Sequence, residues 1–299
     1  MKRRFLVAQL RHFLSTFRLR KTWRHRAAVL IEAPKLLWDF ARFEHAVRSP
    51  RPALRQRATC TVVLLSHNRP ENIEPIVRSA LRNVFVDRLI VSNSNPKVRM
   101  ADWLRVDDPR LEVVEEQTPT QPGHRFVIAQ REKGDFFLSI DDDIFLTPRQ
   151  WAEFFQRLLD SPEVPHGIMG NRFLPGTTSS NGSPFHHITE TECEVDVLIG
   201  AYAFTRVHLN RAFFLAETLH MLPMSDIRNG EDILLSFSGI RRPRLHDLGH
   251  LFCCYSMSLP GIALWKTHPD FWAERAQLFE RVRTAREAMP DAGDKNTGG

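Results

Sequence analysis

The run Phe136-Phe137-Leu138-Ser139-Ile140-Asp141-Asp142-Asp143-Ile144 constrains this chain more than any other. Mostly apolar residues lead directly into three consecutive carboxylates. The apolar part has strand length and no helical period, so it reads as a strand buried on both faces. Asp141, Asp142 and Asp143 then stand where that strand leaves its sheet, and ligands of open α/β sheets bind at the carboxyl ends of strands. Three crowded carboxylates repel one another unless a cation is present. Hard oxygen donors suit Mg²⁺ or Mn²⁺, which would link them to the phosphates of a nucleotide. An acidic surface turn is the plainer alternative, but Phe-Phe-Leu-Ser-Ile is a poor lead-in to a surface turn.

The 299 residues suit one large α/β domain with an extension, and an apolar fraction of 42% supports a sizeable core. No run of eighteen apolar residues occurs, so no transmembrane helix is expected. Cys60, Cys193, Cys253 and Cys254 form no C-x-x-C pair, which argues for reduced thiols in a cytoplasmic protein rather than a disulfide or zinc framework.

The net charge of +6 conceals an asymmetry. Residues 1–58 hold 15 Lys/Arg against 3 Asp/Glu, a balance of +12; the rest hold 26 against 32, a balance of −6. The basic charge therefore belongs to an N-terminal arm. Leu6, Leu10, Phe13, Leu14 and Phe17 recur at helical spacing, with Arg4, Arg11 and Arg18 on another face. A second helix is expected over 27–43 with Pro34 near its start, and Ser49-Pro50-Arg51-Pro52 reads as a linker. The arm fits an anionic membrane surface through residues 1–26, packing on the body, nucleic-acid phosphates less well, and least of all an organelle transit peptide, being Arg-rich and acid-poor but Ser-poor.

Strands alternate with helices through the first half of the body, which argues for a parallel α/β sheet. Thr59 to Ser66 is the first core strand, ending in His67-Asn68-Arg69-Pro70, with Pro70 opening a helix. A second strand over 88–92 leaves into Asn93-Ser94-Asn95, a third covers 111–114, and residues 121–133 are expected to be helical. No G-x-G-x-x-G follows the first strand and no P-loop occurs, so dinucleotide and P-loop sites are disfavoured. His67, Asn68, Arg69, Asn93 and Asn95 instead offer polar groups at strand ends for a nucleotide base and ribose, although loop asparagines are commonly just turn formers.

In the second half, Thr147-Pro148 starts a helix whose stripe Trp151, Phe154, Phe155, Leu158 and Leu159 is core. A short strand is expected at 168–170, and residues 171–192 read as a long acceptor loop or lid. Residues 195–204 read as one strand in which Gly200 and Ala201 permit close approach of a ligand. Asn229-Gly230 marks a turn, and Glu231 and Asp232 open a helix as caps or as groups facing a sugar. His246 and His250 are candidates for a third metal ligand, residues 265–279 for a helix bearing Arg275, and residues 288–299 for a disordered tail.

A strand feeding an Asp-x-Asp resembles the metal-dependent nucleotide-sugar glycosyltransferases of GT-A type, whose sheet is mixed, Rossmann-like and flanked by helices. The order His67-Asn68-Arg69-Pro70, Asn93-Ser94-Asn95, Arg125, Leu138-Ser139-Ile140-Asp141-Asp142-Asp143, Leu198-Ile199-Gly200-Ala201 and Gly230-Glu231-Asp232-Ile233 resembles more narrowly the exostosin-type domain, glycosyltransferase family 64. The resemblance spans about residues 59–285, so the organisation expected is an arm over 1–58, a GT-A domain over 59–287 and a tail. It implies a UDP-sugar donor, Mn²⁺ or Mg²⁺, a glycan or glycolipid acceptor, and transfer with retention of configuration. It implies that Arg69, Asn93, Asn95 and Arg125 contact the nucleotide, that Asp141 holds ribose or sugar hydroxyls, and that Asp143 holds the metal. Asp232 would face the reacting side of the donor sugar and Arg275 the donor's phosphate or sugar. The animal exostosins carry a membrane span that this sequence lacks, which favours an enzyme on the cytoplasmic face.

Two other functions compete. A metal-dependent nucleotidyltransferase would need a Gly-rich triphosphate loop after the first strand, and none is there. An inactive membrane- or nucleic-acid-binding adaptor on the same scaffold would not need Asp141, Asp143 and Asp232.

Overall fold

The computed structural model describes residues 5, 7, 8, 23–49, 53–180, 182–253 and 268–288. The chain divides into two compact units. The first comprises Met1–Pro119, Ser139–Gln156 and Leu248–Pro269, and the second Thr120–Leu138, Arg157–Asp247 and Asp270–Gly299. Along the chain the elements are α1 (Trp23–Arg48), β1 (Cys60–Ser66), α2 (Pro70–Leu81), β2 (Val86–Asn93), β3 (Leu111–Glu115), α3 (His124–Arg131), β4 (Phe136–Ile140), β5 (Ile144–Phe145), α4 (Pro148–Asp160), β6 (His166–Gly167), β7 (Met169–Phe173), β8 (Phe185–Thr189), β9 (Cys193–Glu194), β10 (Val197–Leu198), β11 (Ala201–Thr205), α5 (Arg206–Thr218), α6 (Glu231–Ser236), β12 (Arg244–Leu245), β13 (Phe252–Cys253) and α7 (Phe271–Glu287).

In the first unit the strands stand in the order β3-β2-β1, followed by the end of β4, whose Ser139 and Ile140 belong to this unit. The β-branched and apolar run of β1 is buried almost throughout, and its register with β2 is parallel from Thr61↔Arg88 to Ser66↔Asn93. The β1–α2–β2 crossover follows from the sequence: Pro70 occupies the first turn of α2, and Ile73, Ile76, Val77, Ala80 and Leu81 bury its inner stripe. β3 pairs in parallel with β2 and is largely exposed, as its place at the end of this order requires. Thr147 and Gln150 form a reciprocal cap at the start of α4: the Gln150 N–H donates to Thr147 Oγ1 at 3.3 Å, and the Thr147 N–H donates to Gln150 Oε1 at 2.9 Å. β5 and β13 form an antiparallel pair.

The helix expected over 27–43 is longer, and Pro34 lies inside it. Its Phe40 and Phe43 are buried against Phe145 and Phe252, with Phe43 and Phe145 edge to face at 5.6 Å and Phe5 stacked on Phe40 at 4.3 Å. Aromatic burial therefore holds the C-terminal half of α1 to the first unit and offsets the loss of the Pro34 N–H. The amphipathic pattern of residues 9–22 and nearly all of the expected tail lie outside the described residues, as do Pro50, Arg51, Pro52 and Cys254. Among the described residues no helix is long and apolar enough to cross a membrane.

The second unit contains the strand order β11-β6-β12-β9, with antiparallel, parallel and antiparallel pairings in turn, and a three-stranded sheet in the order β10-β7-β8. Four expectations change here. Residues 171–192 are not a structureless loop: β7 and β8 pair antiparallel from Met169↔Thr189 to Phe173↔Phe185. That hairpin is anchored by Phe173 and Phe185, whose rings lie 4.4 and 6.0 Å from Phe279 of α7. The single strand expected over 195–204 is divided into β10 and β11, because Gly200 takes φ +73°, a left-handed conformation that breaks the ladder. The helix expected over 121–133 is shortened to α3, preceded by Gly123, where a Cβ would stand 2.1 Å from the Met224 carbonyl oxygen. The helix expected from residue 265 begins at Phe271, directly after Pro269 and Asp270; residues 265–267 lie outside the described residues.

Candidate functional site

Two clusters of the sequence candidates form, one in each unit. In the first unit β1 stands between β2 and the last residues of β4, and these strand ends carry His67, Asn68, Arg69, Asn93, Asn95 and the three aspartates. Arg69 spans the acids: one guanidinium nitrogen lies 2.6 Å from Asp142 Oδ1 and the other 3.0 Å from Asp143 Oδ2. Asp142 is buried, while Asp141 and Asp143 are half-buried. Its main chain is held too, since Asn72 Nδ2 donates to the Asp142 carbonyl at 2.8 Å. Asn72 is wholly buried on α2 and was not singled out from sequence. An Asn in the first turn of a helix carries no signal that it reaches 70 residues along the chain.

The strand ends are laced together. The Asn95 side chain donates to the His67 carbonyl at 2.9 Å, and His67 Nδ1 lies 2.9 Å from Ser94 Oγ. Asn93 is buried and directs its amide hydrogens at the Val98 carbonyl at 2.6 Å and at Glu115 Oε2 at 2.5 Å. It thereby shapes the loop after β2. His67 and Asn68 are exposed.

Burial raises the carboxyls of both Asp142 and Asp143, Asp143 to about 7, with Arg69 acting against that rise and the neighbouring aspartates adding to it. A buried acid of that kind takes up either a proton or a second cation. Among the described residues no group of three or more His, Cys, Asp or Glu side chains could hold a metal ion by itself. Hard carboxylate oxygens from Asp141 and Asp143 nonetheless fit Mg²⁺ or Mn²⁺, ions commonly bound by one or two carboxylates with substrate phosphates completing the shell. The expectation that His246 or His250 supplies a third ligand is not met by their partners. His246 Nε2 lies 2.7 Å from His166 Nδ1 and its Nδ1 2.9 Å from Glu192, while His250 stands 3.6 Å from Asp39.

The second unit holds Gly200, Ala201, Arg125, Glu231, Asp232 and Arg275, and two of them, Gly200 and Arg125, touch Tyr202. The Gly200 N–H donates to the Tyr202 hydroxyl at 3.0 Å, and the Arg125 guanidinium lies 5.2 Å from the centre of the Tyr202 ring. Asp232 and Arg275 face each other as a fork, with contacts of 2.9 Å and 2.5 Å. Arg275 also donates to Asn229 Oδ1 at 3.3 Å and lies over the Phe185 ring at 5.5 Å. Burial opposes its charge, but Asp232 first, then Glu231 and Tyr202, outweigh that and hold Arg275 above its ordinary range. The sequence treated Asp232 and Arg275 as separate contacts to a donor; the structure pairs them with each other.

Gly230 makes that pairing possible. It takes φ +106°, and a Cβ there would stand 2.1 Å from Leu278 Cδ2 of α7. The close approach seats α6, bearing Asp232, against α7, bearing Arg275. Ser236 of α6 accepts from the Leu198 N–H of β10 at 2.9 Å, which ties α6 to the strand before Gly200. Tyr202 was missed as a site residue; its one sequence signal is rarity, as one of 2 tyrosines in the chain.

No family model matches the chain, and no curated protein matches it in sequence. Solved structures do match. GalNAc-T7, determined with UDP, GalNAc and Mn²⁺, is 13% identical with a TM-score of 0.50, over 82% of this chain and 56% of that one. The fold is GT-A. Weaker likenesses are the mannosyltransferase PcManGT from Pyrobaculum calidifontis with GDP-Man and Mn²⁺ (15% identity, TM-score 0.40, 82% of this chain and 68% of that one) and a CMP-2-keto-3-deoxy-manno-octonic acid synthetase with CTP (12%, 0.43, 77% and 100%). This chain thus spans little more than half the length of GalNAc-T7.

Proposed function

We propose that this chain is a metal-dependent glycosyltransferase that moves a sugar from a UDP-sugar to a glycan or glycolipid acceptor with retention of configuration. The observation that carries the reading is the turn of three carboxylates after β4, spanned by Arg69 at 2.6 and 3.0 Å, on a GT-A fold. An acidic turn with no ligand to serve would leave Asp143 half-buried beside two other acids at a cost. The uridine donor and the metal are supported by the fold shared with GalNAc-T7, which was solved with UDP, GalNAc and Mn²⁺. The narrower exostosin-type assignment rests on the motif order alone.

In this reading Asp141 and Asp143 hold the ion, and Asp141 also meets ribose or sugar hydroxyls. When bound, the ion neutralises charge developing on the departing diphosphate. Asp142, taken up by Arg69, sets the turn. His67, Asn68 and Asn95 meet the nucleotide, with Asn93 fixing the loop that presents them, and Arg125 adds positive charge for it. Gly200, Ala201 and Glu231 line the sugar's approach. Asp232 serves the donor sugar, and Arg275 holds its orientation; attack by the acceptor from the leaving-group side is favoured over a covalent route through Asp232. The catalytic region is residues 59–287, the arm is 1–58, and the enzyme works at the cytoplasmic face.

The test is donor turnover. Asp143→Ala should abolish UDP-sugar hydrolysis and metal-dependent UDP binding with the melting temperature preserved. Asp232→Asn should keep UDP binding and lose transfer. Full transfer by Asp143→Ala would end the assignment.

A further inference from the structure

The outer face of α1 has no role in the proposed chemistry. Its inner face, Phe40 and Phe43, is buried. On the other side Trp38 is 64% exposed and Leu37 54%. Lys35, Ala41, Arg42, His45 and Arg48 are also exposed. At 100° per residue these positions form one arc, with Trp38 near its middle, Lys35 and Arg42 to one side and Arg48 and Leu37 to the other. Asp39 and Glu44, the acids on this stretch, are half-buried and stand near His250 at 3.6 Å and Arg48 at 4.0 Å. The exposed arc therefore carries cations and two large apolar side chains, and no acid.

We propose that this face docks on an anionic lipid surface, Trp38 and Leu37 entering the headgroup layer and Lys35, Arg42 and Arg48 meeting lipid phosphates. Charge disfavours the nearer occupants. Residues 9–22 of the same chain carry Arg11, Arg18, Arg20 and Lys21 and no acid, so they offer this arc no opposite charge. A second copy would bring the same charges face to face in a two-fold pairing. A nucleic acid would satisfy the cations, but an exposed Leu beside the Trp gains nothing from phosphates. A helix lying in an interface gains from both, since indole and leucine bury among acyl chains while basic side chains stay at headgroup level. The inference is independent of the nucleotide site and differs from the arm's own amphipathic pattern, being set by which face of α1 the first unit leaves uncovered.

The experiment is co-sedimentation of the full chain with vesicles of phosphatidylcholine plus phosphatidylglycerol, against phosphatidylcholine alone. Wild type should bind the anionic vesicles, and less so as salt rises. Lys35→Gln/Arg42→Gln should weaken partitioning about 25-fold, taking about fivefold per lost charge. Trp38→Ser should weaken it roughly tenfold. Both variants sit at exposed positions, and unchanged melting temperatures would show that they fold. Folded variants that bind like wild type would overturn the proposal, as would equal binding to neutral vesicles or binding to single-stranded RNA with none to either vesicle.

Discussion

Replacing Arg275 by Met should unsettle the second unit far more than an ordinary surface charge deletion would. The side chains of Arg275 and Asp232 are 4% and 8% exposed, and the fork closes at 2.9 and 2.5 Å. Removing one partner of such a pair leaves the other charge buried without compensation, a loss of about 3–5 kcal/mol. For a protein of this size that is a fall of about 5–8 °C in melting temperature. The double variant Arg275→Met/Asp232→Leu removes both charges and should recover much of the loss, because no charge is left stranded. Arg275→Lys should fall between, since an ammonium does not reproduce the planar fork. Urea unfolding of wild type, Arg275→Met, Asp232→Leu and the double variant at neutral pH gives the coupling directly as a double-mutant cycle. If Arg275→Met loses less than about 1 kcal/mol, or if the double variant is as unstable as the sum of the singles, the pair is not the buried unit described here.

Other consequences follow from the same packing. Gly230→Ala puts a Cβ into Leu278 and an L-residue at φ +106°, so a loss of about 2–4 kcal/mol is expected in a thermal or urea melt, with little change in UDP affinity. Burial depresses His166 to about 4, and it does the same to His208. An NMR titration of their ring protons should show no midpoint near the ordinary 6.5, and a midpoint there would contradict the burial. Since the folded state resists a proton that the unfolded state accepts, each contributes stability above pH 6.5 that is lost as pH falls from 6.5 towards 4, up to about 3 kcal/mol. Asp143, raised to about 7, works in the opposite sense over the same range, so the effect should be read as the difference between wild type and His208→Asn.

How far the sequence reached depended on the range of the interactions. β1, α2 and the strand before the acids were legible because apolar runs, Pro70 at a helix start and the Asp run are local signals. The placing of the three aspartates beside His67, Asn68 and Arg69 followed from strand order in an alternating α/β chain, although Arg69's contact with two of them did not. The β7–β8 hairpin was hidden because its polar connection dominates residues 174–184, while its anchor, Phe279, lies about a hundred residues on. The break at Gly200 depends on a backbone angle that a Gly-Ala pair permits without requiring. The Asp232–Arg275 fork joins residues 43 apart through the seating of Gly230 on Leu278, and no sequence pattern states that. Sequence gave the chemistry at the strand ends, and packing decided which charged groups were already taken.

The central claim is that the acids after β4 bind a uridine nucleotide through a divalent cation. The most direct measurement is the melting temperature of the full chain with a panel of nucleotides and nucleotide sugars, each with Mn²⁺ and each with EDTA, because ligands that bind the native state raise it by mass action. The account predicts a rise with UDP or one UDP-sugar that disappears in EDTA and in Asp143→Ala. A folded protein whose melting temperature moves with no uridine nucleotide, or moves equally in EDTA, would contradict it.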